Sequence, residues 1–367
     1  MQTIHASDST VKNKRLLAKV HKYERYVESL KELIAENGPK VRAANSAMRQ
    51  KLLTPGQVHV DAALSNLSVQ YANEEYIGEE LMPATTVAKL SDVFFKYDRR
   101  SRFGYPDDAM GARSSANEIN ESRTTDNYSC KPYAFKNYID ALTVAAEDAP
   151  LNEMVDLVQA TAEGIAFRRE VRLATILSTT TNFAASTNTK SLSGAAMWDS
   201  SGGGNPIADI QTARAAIWSG MGGSKVVGYC DLGTWNVLSR HPMILDLFKY
   251  TGSSPGIATP SMLAGWFDLD DILVAKGRQD TANSGQTASF SRIWPNCFGI
   301  VRVAPPGVRN VSFGRTFRFG QVQTDQWYDP SLGTKGGYYA RVSTHEDHHV
   351  IANDAGYLIA TPVSQTV

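Results

Sequence analysis

The residues best placed to do chemistry stand together at His345-Glu346-Asp347-His348-His349. Five consecutive side chains that can hold a metal or move a proton invite the reading of a metal-dependent enzyme. On a strand, His345, Asp347 and His349 share one face, and Glu346 and His348 share the other. A metal site needs several ligands converging in a fixed geometry, and this run supplies at most three on a side. A polar strand face is the expected reading, and a cytoplasmic metal-dependent enzyme using His345–His349 is the alternative.

The other candidates carry less. Gly220-Met221-Gly222-Gly223-Ser224-Lys225 has the wrong spacing for a phosphate loop and follows a helix rather than a strand. A helix-to-strand turn is expected there. Cys130 and Cys230 have no His beside them in sequence and read as buried or strand-face thiols. No Gly-x-Ser-x-Gly elbow and no His-Glu-x-x-His helix is present. No enzyme is expected, and no catalytic residue, cofactor or metal ligand is assigned. Arg99, Arg100 and Arg102, with Asp107 and Asp108, set opposite charges around the tip of a long loop. They read either as exposed mixed charge worth little per pair or as intersubunit contacts that set register.

Composition bounds the rest. A chain of 367 residues, 42% apolar and 20% charged, can bury the cores of two or three domains. Lys plus Arg and Asp plus Glu number 37 each, so the whole molecule has no charge-driven attraction to nucleic acid. Three widely spaced cysteines argue against a disulfide framework and fit a reducing cytoplasm during synthesis. The N-terminus lacks the apolar core of a signal peptide. No segment approaches the roughly 20 apolar residues that span a bilayer.

The charge is not evenly spread. Between Val11 and Lys51 the eleven bases include Lys12, Lys14, Arg15, Lys19, Lys22 and Arg25, against four acids, Glu24, Glu28, Glu32 and Glu36. Eleven minus four is +7, so the remainder of the neutral chain carries −7. Leu16, Val20, Tyr23, Val27, Leu30 and Ile34 form a heptad seam within this segment. Asn37-Gly38-Pro39 ends the helix. The segment reads as a solvated helical face, or as an arm lying near nucleic acid or an acidic neighbour.

Next come the elements that would carry such an arm. Pro83 stops any helix in the stretch that begins at Asp61. Val93, Phe95 and Tyr97 alternate with polar residues as in a strand, and a second strand is expected over Tyr128–Asn137. The polar, Gly-rich run from Phe103 to Thr125 between them is too long for an ordinary connection and is expected to bind something. Because isolated hairpins are marginal, this arm is expected to lie against another subunit. Pro150, Glu153 and Asp156 suit the start of a helix reaching Ser178. It would be roughly 40 Å long and apolar on more than one side, a spine with layers against it.

Residues 180–205, rich in Thr, Asn, Ser and Gly and ending in Ser201-Gly202-Gly203-Gly204-Asn205-Pro206, read as a linker or exposed loop and a candidate domain boundary, after which a mixed α/β unit is expected. Its elements are a helix over Ile207–Ser219, a strand over Lys225–Tyr229 and a helix from about Thr234 to Tyr250, strained by Pro242. A short helix follows over Pro260–Trp266, then strands over Ile272–Lys276 and Phe298–Ala304. A long strand over residues 338–345 and a hairpin from His349 to Ala360 close the sequence.

This layout resembles the major capsid proteins of tailed bacteriophages, the Hong Kong 97-type shell fold. The resemblance rests on Leu67-Ser68-Val69-Gln70-Tyr71, Glu75-Tyr76-Ile77, Leu81-Met82-Pro83, Phe95-Lys96-Tyr97-Asp98, Tyr128-Ser129-Cys130-Lys131-Pro132-Tyr133, Asp148-Ala149-Pro150-Leu151 and Phe167-Arg168-Arg169-Glu170. These motifs cover about 120 residues; the remainder is similar only in element order. The resemblance implies an α+β fold of four parts. They are an N-terminal arm (1–86), an extended β-hairpin loop (87–137), a peripheral domain with the spine helix (138–200 and 305–367) and an axial α/β domain (201–304).

It also implies an icosahedral shell of hexamers and pentamers around packaged double-stranded DNA, held without sequence specificity. The implied partners are further copies of the chain, a portal, and decoration or scaffolding proteins, with no membrane. Assembly would take place in the bacterial host cytoplasm and end in the virion capsid. Some members carry a cleaved N-terminal segment, not expected here, and some crosslink through Lys and Asn, for which no positions match. The same fold builds encapsulin shells, which hold protein cargo, and that is a further alternative.

Overall fold

The computed structural model describes residues 76–97, 105, 107–109, 118–119, 123–147, 152–184, 187–200, 204–217, 224–249, 256–283, 285–305 and 311–364. The basic segment, with Lys12, Lys14, Arg15, Lys19, Lys22 and Arg25, lies outside the described residues, as do Arg99, Arg100, Arg102 and Pro150.

The chain begins with helix α1 (Gly78–Leu81) and strands β1 (Ala84–Val87), β2 (Ser91–Tyr97), β3 (Arg123–Ser129) and β4 (Lys131–Asp140). Helices α2 (Ala141–Ala145) and α3 (Glu153–Ser178) follow, then β5 (Thr189–Ser191), α4 (Pro206–Ala216), β6 (Lys225–Asp231), α5 (Leu232–Leu238), α6 (Pro242–Phe248) and α7 (Pro260–Trp266). The remaining strands are β7 (Asp271–Ala275), β8 (Arg278–Asp280), β9 (Phe290–Arg292), β10 (Cys297–Val303), β11 (Gly314–Asp329), β12 (Gly337–Val350) and β13 (Gly356–Ala360).

Two larger sheets dominate. The first has the order β1-β11-β12-β4 and the second the order β5-β13-β10-β6-β7. In the first, β12 lies between antiparallel β11 and β4, with Val342 opposite both Thr324 and Phe135. Alternate residues Ala340, Val342 and Thr344 are fully covered, as one face of a packed sheet requires. The long helix α3 lies on that face. Its one glycine, Gly164, has the Phe135 ring so close that an added Cβ would sit 3.3 Å from it.

In the second sheet β6 and β10 are buried along nearly their whole length, because both faces are covered. Val226, Cys230, Phe298 and Ile300 face a core with Trp198, Ile210, Leu238 and Ile359. Val227, Tyr229, Cys297 and Val301 face the opposite way, into a core with Leu173, Ala174 and Leu177 of α3 and Ile77, Leu81 and Met82. Helix α3 thus packs on both sheets, so the expected spine has layers at both ends. It starts at Glu153, where Asn152 caps it by accepting from the Val155 amide at 3.2 Å. All three cysteines are free and buried.

Four local expectations need correction. The stretch expected as a linker over 180–205 carries β5, which pairs with β13 in the second sheet, and it buries Phe183, Leu192 and Trp198 in the two cores. The helix expected over about 234–250 is two helices, α5 and α6. Proline cannot continue a helix, and Pro242 instead opens α6 in its first turn, with the His241 ring accepting from the Met243 amide at 3.3 Å. The strand expected over Tyr128–Asn137 divides at Cys130, whose amide closes onto the Leu90 carbonyl at 2.8 Å. The part before it pairs with β2, and the part after it joins the first sheet beside β12. The hairpin expected over His349–Ala360 does not form. The Phe313 carbonyl accepts from the Ile351 and Ala352 amides, at 2.8 and 3.1 Å. The chain then crosses to the second sheet. Strand β13, Gly-Tyr-Leu-Ile-Ala, is buried on both faces, which a two-stranded ribbon cannot provide.

Candidate assembly surfaces and the junction that orients them

The run His345–His349 forms a structural junction. Glu346 is wholly buried. Arg169 of α3 grips it at two points, Nε to Oε2 at 2.9 Å and Nη2 to Oε1 at 2.7 Å. Arg318 of β11 donates from Nε at 2.8 Å, and the Thr344 hydroxyl donates at 3.2 Å. Arg172 stands 3.8 Å from Oε2. Burial pushes the Glu346 carboxyl up, but the Arg169 hydrogen bonds and the Arg169 and Arg318 charges outweigh it, and it is held below its ordinary value.

His348, on the same face, serves this cluster rather than a metal. Its Nε2 accepts from Arg172 Nε at 3.3 Å, and its Nδ1 lies 3.0 Å from the Thr316 hydroxyl. Burial and the surrounding arginines lower its pKa to about 4, against the opposing pull of Glu346. The ring is therefore neutral at pH 7, with the proton on Nδ1. Arg172 also lies 3.8 Å over the Tyr133 ring of β4. Glu79 of α1 completes the cluster, pairing with Arg169 at 3.3 Å and Arg318 at 3.2 Å.

The other face of the run serves the hairpin. Asp347 accepts from the Ser129 amide at 3.0 Å. His349 Nε2 lies 3.0 Å from Asp126, which also pairs with Lys96 at 2.5 Å. Lys96 and His349 hold the Asp126 carboxyl well below its ordinary range. Phe94 and Tyr128 rest on Phe317 with centroids 5.4 and 4.7 Å away. The base of the β2–β3 hairpin is therefore clamped to the chain's own first sheet. Among the described residues no group of three or more His, Cys, Asp or Glu is placed to hold a metal.

Among the described residues, two groups of exposed apolar side chains stand out. On the outer face of the hairpin Val93 and Phe95 are 56% and 63% exposed. On the first sheet, on the face opposite α3, Trp327, Tyr339 and Tyr138 stand in register across three strands. The Trp327 and Tyr339 rings stack at 5.2 Å, and Tyr138 lies 6.0 Å from Tyr339. Arg341 and Lys136 lie over these rings at 5.5 and 5.0 Å, and Arg341 also pairs with Asp325 at 2.6 Å. Clusters of large exposed apolar groups mark contact surfaces.

Of the residues expected at the loop tip, Asp107 and Asp108 are exposed, and Asp107 accepts from the Ala109 amide at 3.2 Å. Their arginine counterparts lie outside the described residues. Glu79 and Arg318 escaped sequence reasoning because their partners are 90 and 28 positions away. The signal that was present is the run Arg168-Arg169-Glu170 with Arg172, four charges set among the apolar residues of the helix's second half. A cavity of about 310 Å³ in the α/β lobe includes Asp231, Arg292 and Asn296 in its lining. Asp231 is already saturated there by Arg292 at 2.5 Å, the Gly233 amide at 2.9 Å and the Thr234 hydroxyl. No described helix is long and apolar enough to cross a membrane.

No family model matches the chain. The major capsid protein of Pseudomonas phage JBD67 is 26% identical over 307 residues, covering 83% of this chain and 97% of that relative. The major capsid protein of Burkholderia phage BcepMu is 28% identical over 218 residues, 59% of this chain and 69% of the relative. A solved phage-related protein from Bordetella bronchiseptica RB50 superposes with a TM-score of 0.61 at 23% identity, covering 81% of this chain and 95% of its own. The capsid structure of cyanophage P-SCSP1u gives 0.55 at 10% identity, covering 84% and 92%. At these identities the solved structures speak for the fold alone.

Proposed function

We infer that this chain is a tailed-phage major capsid protein with the Hong Kong 97-type shell fold. The observation that carries the reading is the match to a curated major capsid protein along 97% of that relative's length. A capsid-like fold supports it. The chemistry supports it too: the His345–His349 run joins the spine helix to the first sheet through Glu346 and His348 and clamps the hairpin base through Asp347 and His349.

The subunit builds a closed shell from many copies of itself, as hexamers and pentamers. The outer face of the hairpin and the aromatic row on the first sheet supply apolar contact area, and repetition around a ring multiplies weak contacts. The loop around Arg99, Arg100, Arg102, Asp107 and Asp108 reaches a neighbouring copy. The basic segment of Lys12, Lys14, Arg15, Lys19, Lys22 and Arg25 faces the interior, where packaged double-stranded DNA offers phosphates without regard to sequence. The division into arm (1–86), loop (87–137), peripheral domain (138–200 and 305–367) and axial domain (201–304) completes the reading. A portal, and decoration or scaffolding proteins, join the same shell, assembled in the host cytoplasm.

Electron microscopy and light scattering of the purified full-length protein test this. Closed shells of uniform diameter are expected. Monodisperse monomers would overturn the reading, and shells filled with an enzyme instead of nucleic acid would favour an encapsulin-type compartment.

A further inference from the structure

Glu170 of α3 is only 3% exposed, and among the described residues it has no arginine or lysine hydrogen-bond partner. Its Oε1 accepts from the Ile77 amide at 3.2 Å and from the Trp294 indole Nε1 at 2.6 Å. Its Oε2 accepts from the Gly78 amide at 2.9 Å. All three partners are donors, so the position requires an acceptor at both oxygens. A buried carboxylate held by neutral donors alone is costly unless those donors stay in place.

The surroundings allow little else. A Cβ on Gly78 would fall 2.6 Å from Oε2 and 2.8 Å from Leu173 Cδ1, so the chain approaches α3 there without a side chain. The next residue, Glu79, is held by Arg169, the residue before Glu170. Consecutive spine residues thus pin consecutive residues of the leading segment, one through backbone amides and the other through charge. Trp294 belongs to the stretch just before β10 and packs 5.5 Å from Tyr229, whose hydroxyl donates to the Leu177 carbonyl at 2.7 Å. One carboxylate therefore joins the first described residues of the chain, the spine helix and the second sheet.

We propose that Glu170 is a positioning residue for shell assembly. It holds Ile77 and Gly78 on the spine helix and ties both to Trp294, at the entry to the second sheet. The idea rests on the capsid reading. Rotation at this contact would change the angle between the spine and the second sheet, and with it the curvature at which copies meet.

Glu170→Gln tests it in the full-length chain, because the amide keeps the shape but must turn a donor toward one of the three donors. Trp294→Phe removes one donor and keeps the carboxylate on both backbone amides. Glu163→Gln, at an exposed position of the same helix, is the control. Amide hydrogen exchange at Ile77 and Gly78 is expected to rise about tenfold or more in Glu170→Gln, as loss of a hydrogen bond to a charged group implies. Particle diameters are expected to broaden or shift on electron micrographs. Trp294→Phe should show the same changes to a smaller degree, and it carries the test if Glu170→Gln does not fold. Glu163→Gln should change neither measurement. Unchanged exchange would overturn the clip, and faster exchange with wild-type particles would overturn its role in assembly. Failure of the wild-type chain to form any shell would overturn the capsid reading and the shell role together, and exchange would still report whether Glu170 holds the segment.

Discussion

Arg169 and Glu346, 177 positions apart in sequence, meet in a two-point ion pair at 2.7 and 2.9 Å. The carboxylate end is fully buried and the guanidinium largely so. The pair fixes the spine helix to the middle of the first sheet, and Arg318 and Glu79 extend the grip to β11 and α1.

Removing Arg169 leaves Glu346 buried with Arg318 as its close partner. Breaking a buried pair costs roughly 3–5 kcal/mol, and the surviving arginine places Arg169→Ala near the lower end, about 3 kcal/mol. Arg169→Lys should recover only part of this, since an ammonium cannot match the two-point geometry. Urea unfolding of unassembled subunits measures both. A loss below about 1 kcal/mol for the alanine variant, the range of exposed pairs, would refute the role given to this junction.

His348 makes subunit stability depend on pH. Unfolded, its ring takes a proton near the ordinary value of 6.5; folded, it does so at about 4. Between these the unfolded state binds more protons, so stability falls as the pH falls. The contribution is intact above about 6.5 and is lost as the pH descends to about 4, a loss of up to roughly 3 kcal/mol. The groups facing the ring are Thr316, Arg172, Arg169, Arg318 and Glu346. His348→Gln should flatten the stability–pH curve across this window. An unchanged slope in that variant would assign the acid sensitivity elsewhere.

The loop between β2 and β3 offers a cleaner cut than the sequence alone suggested. Deleting Phe103–Thr125 would remove Arg123, Thr124 and Thr125, which pair with Tyr97, Lys96 and Phe95. Replacing residues 103–120 with a short turn spares the ladder and the clamp on Phe317. The expected product is a folded subunit with a wild-type melting temperature that does not close shells. Normal particles from this variant would remove the loop from assembly.

The basic segment should be sheltered in finished particles. Trypsin added to intact shells is expected to leave Lys12, Lys14, Arg15, Lys19 and Lys22 uncut, and to cut them readily once the shells are dissociated. Rapid cleavage in intact particles would place the segment on the outside.

Much of this architecture could be read from local pattern. The apolar run of α3, the alternation in β2 and the short helix over Pro260–Trp266 follow from spacing within a few residues. What could not be read depends on which face is covered. Tyr128–Asn137 looks like one strand because alternation continues through Cys130, yet its two halves serve different sheets. Gly356–Ala360 looks like the return of a hairpin, but its unbroken apolar character already asks for cover on both faces. The His345–His349 run shows the same limit. Its alternation sorted the side chains onto two faces correctly, but only the fold supplies Arg169, Arg172 and Arg318 from elsewhere in the chain.

Strand β13 lies between β5 and β10, pairing with both. Its neighbour β5 precedes it by about 170 residues, as the Thr361–Leu192 contact also spans 169 positions. At the roughly 5–20 residues per second of translation, β5 waits about 10–30 s for the strand that completes it. A ribosome that stalls before residue 356 therefore releases a chain whose second sheet has a gap next to β10. Such a truncated chain exposes the cores that Tyr357, Leu358 and Ile359 fill. Placing a late strand inside the sheet thus makes completed synthesis a condition for closing the second sheet and its cores.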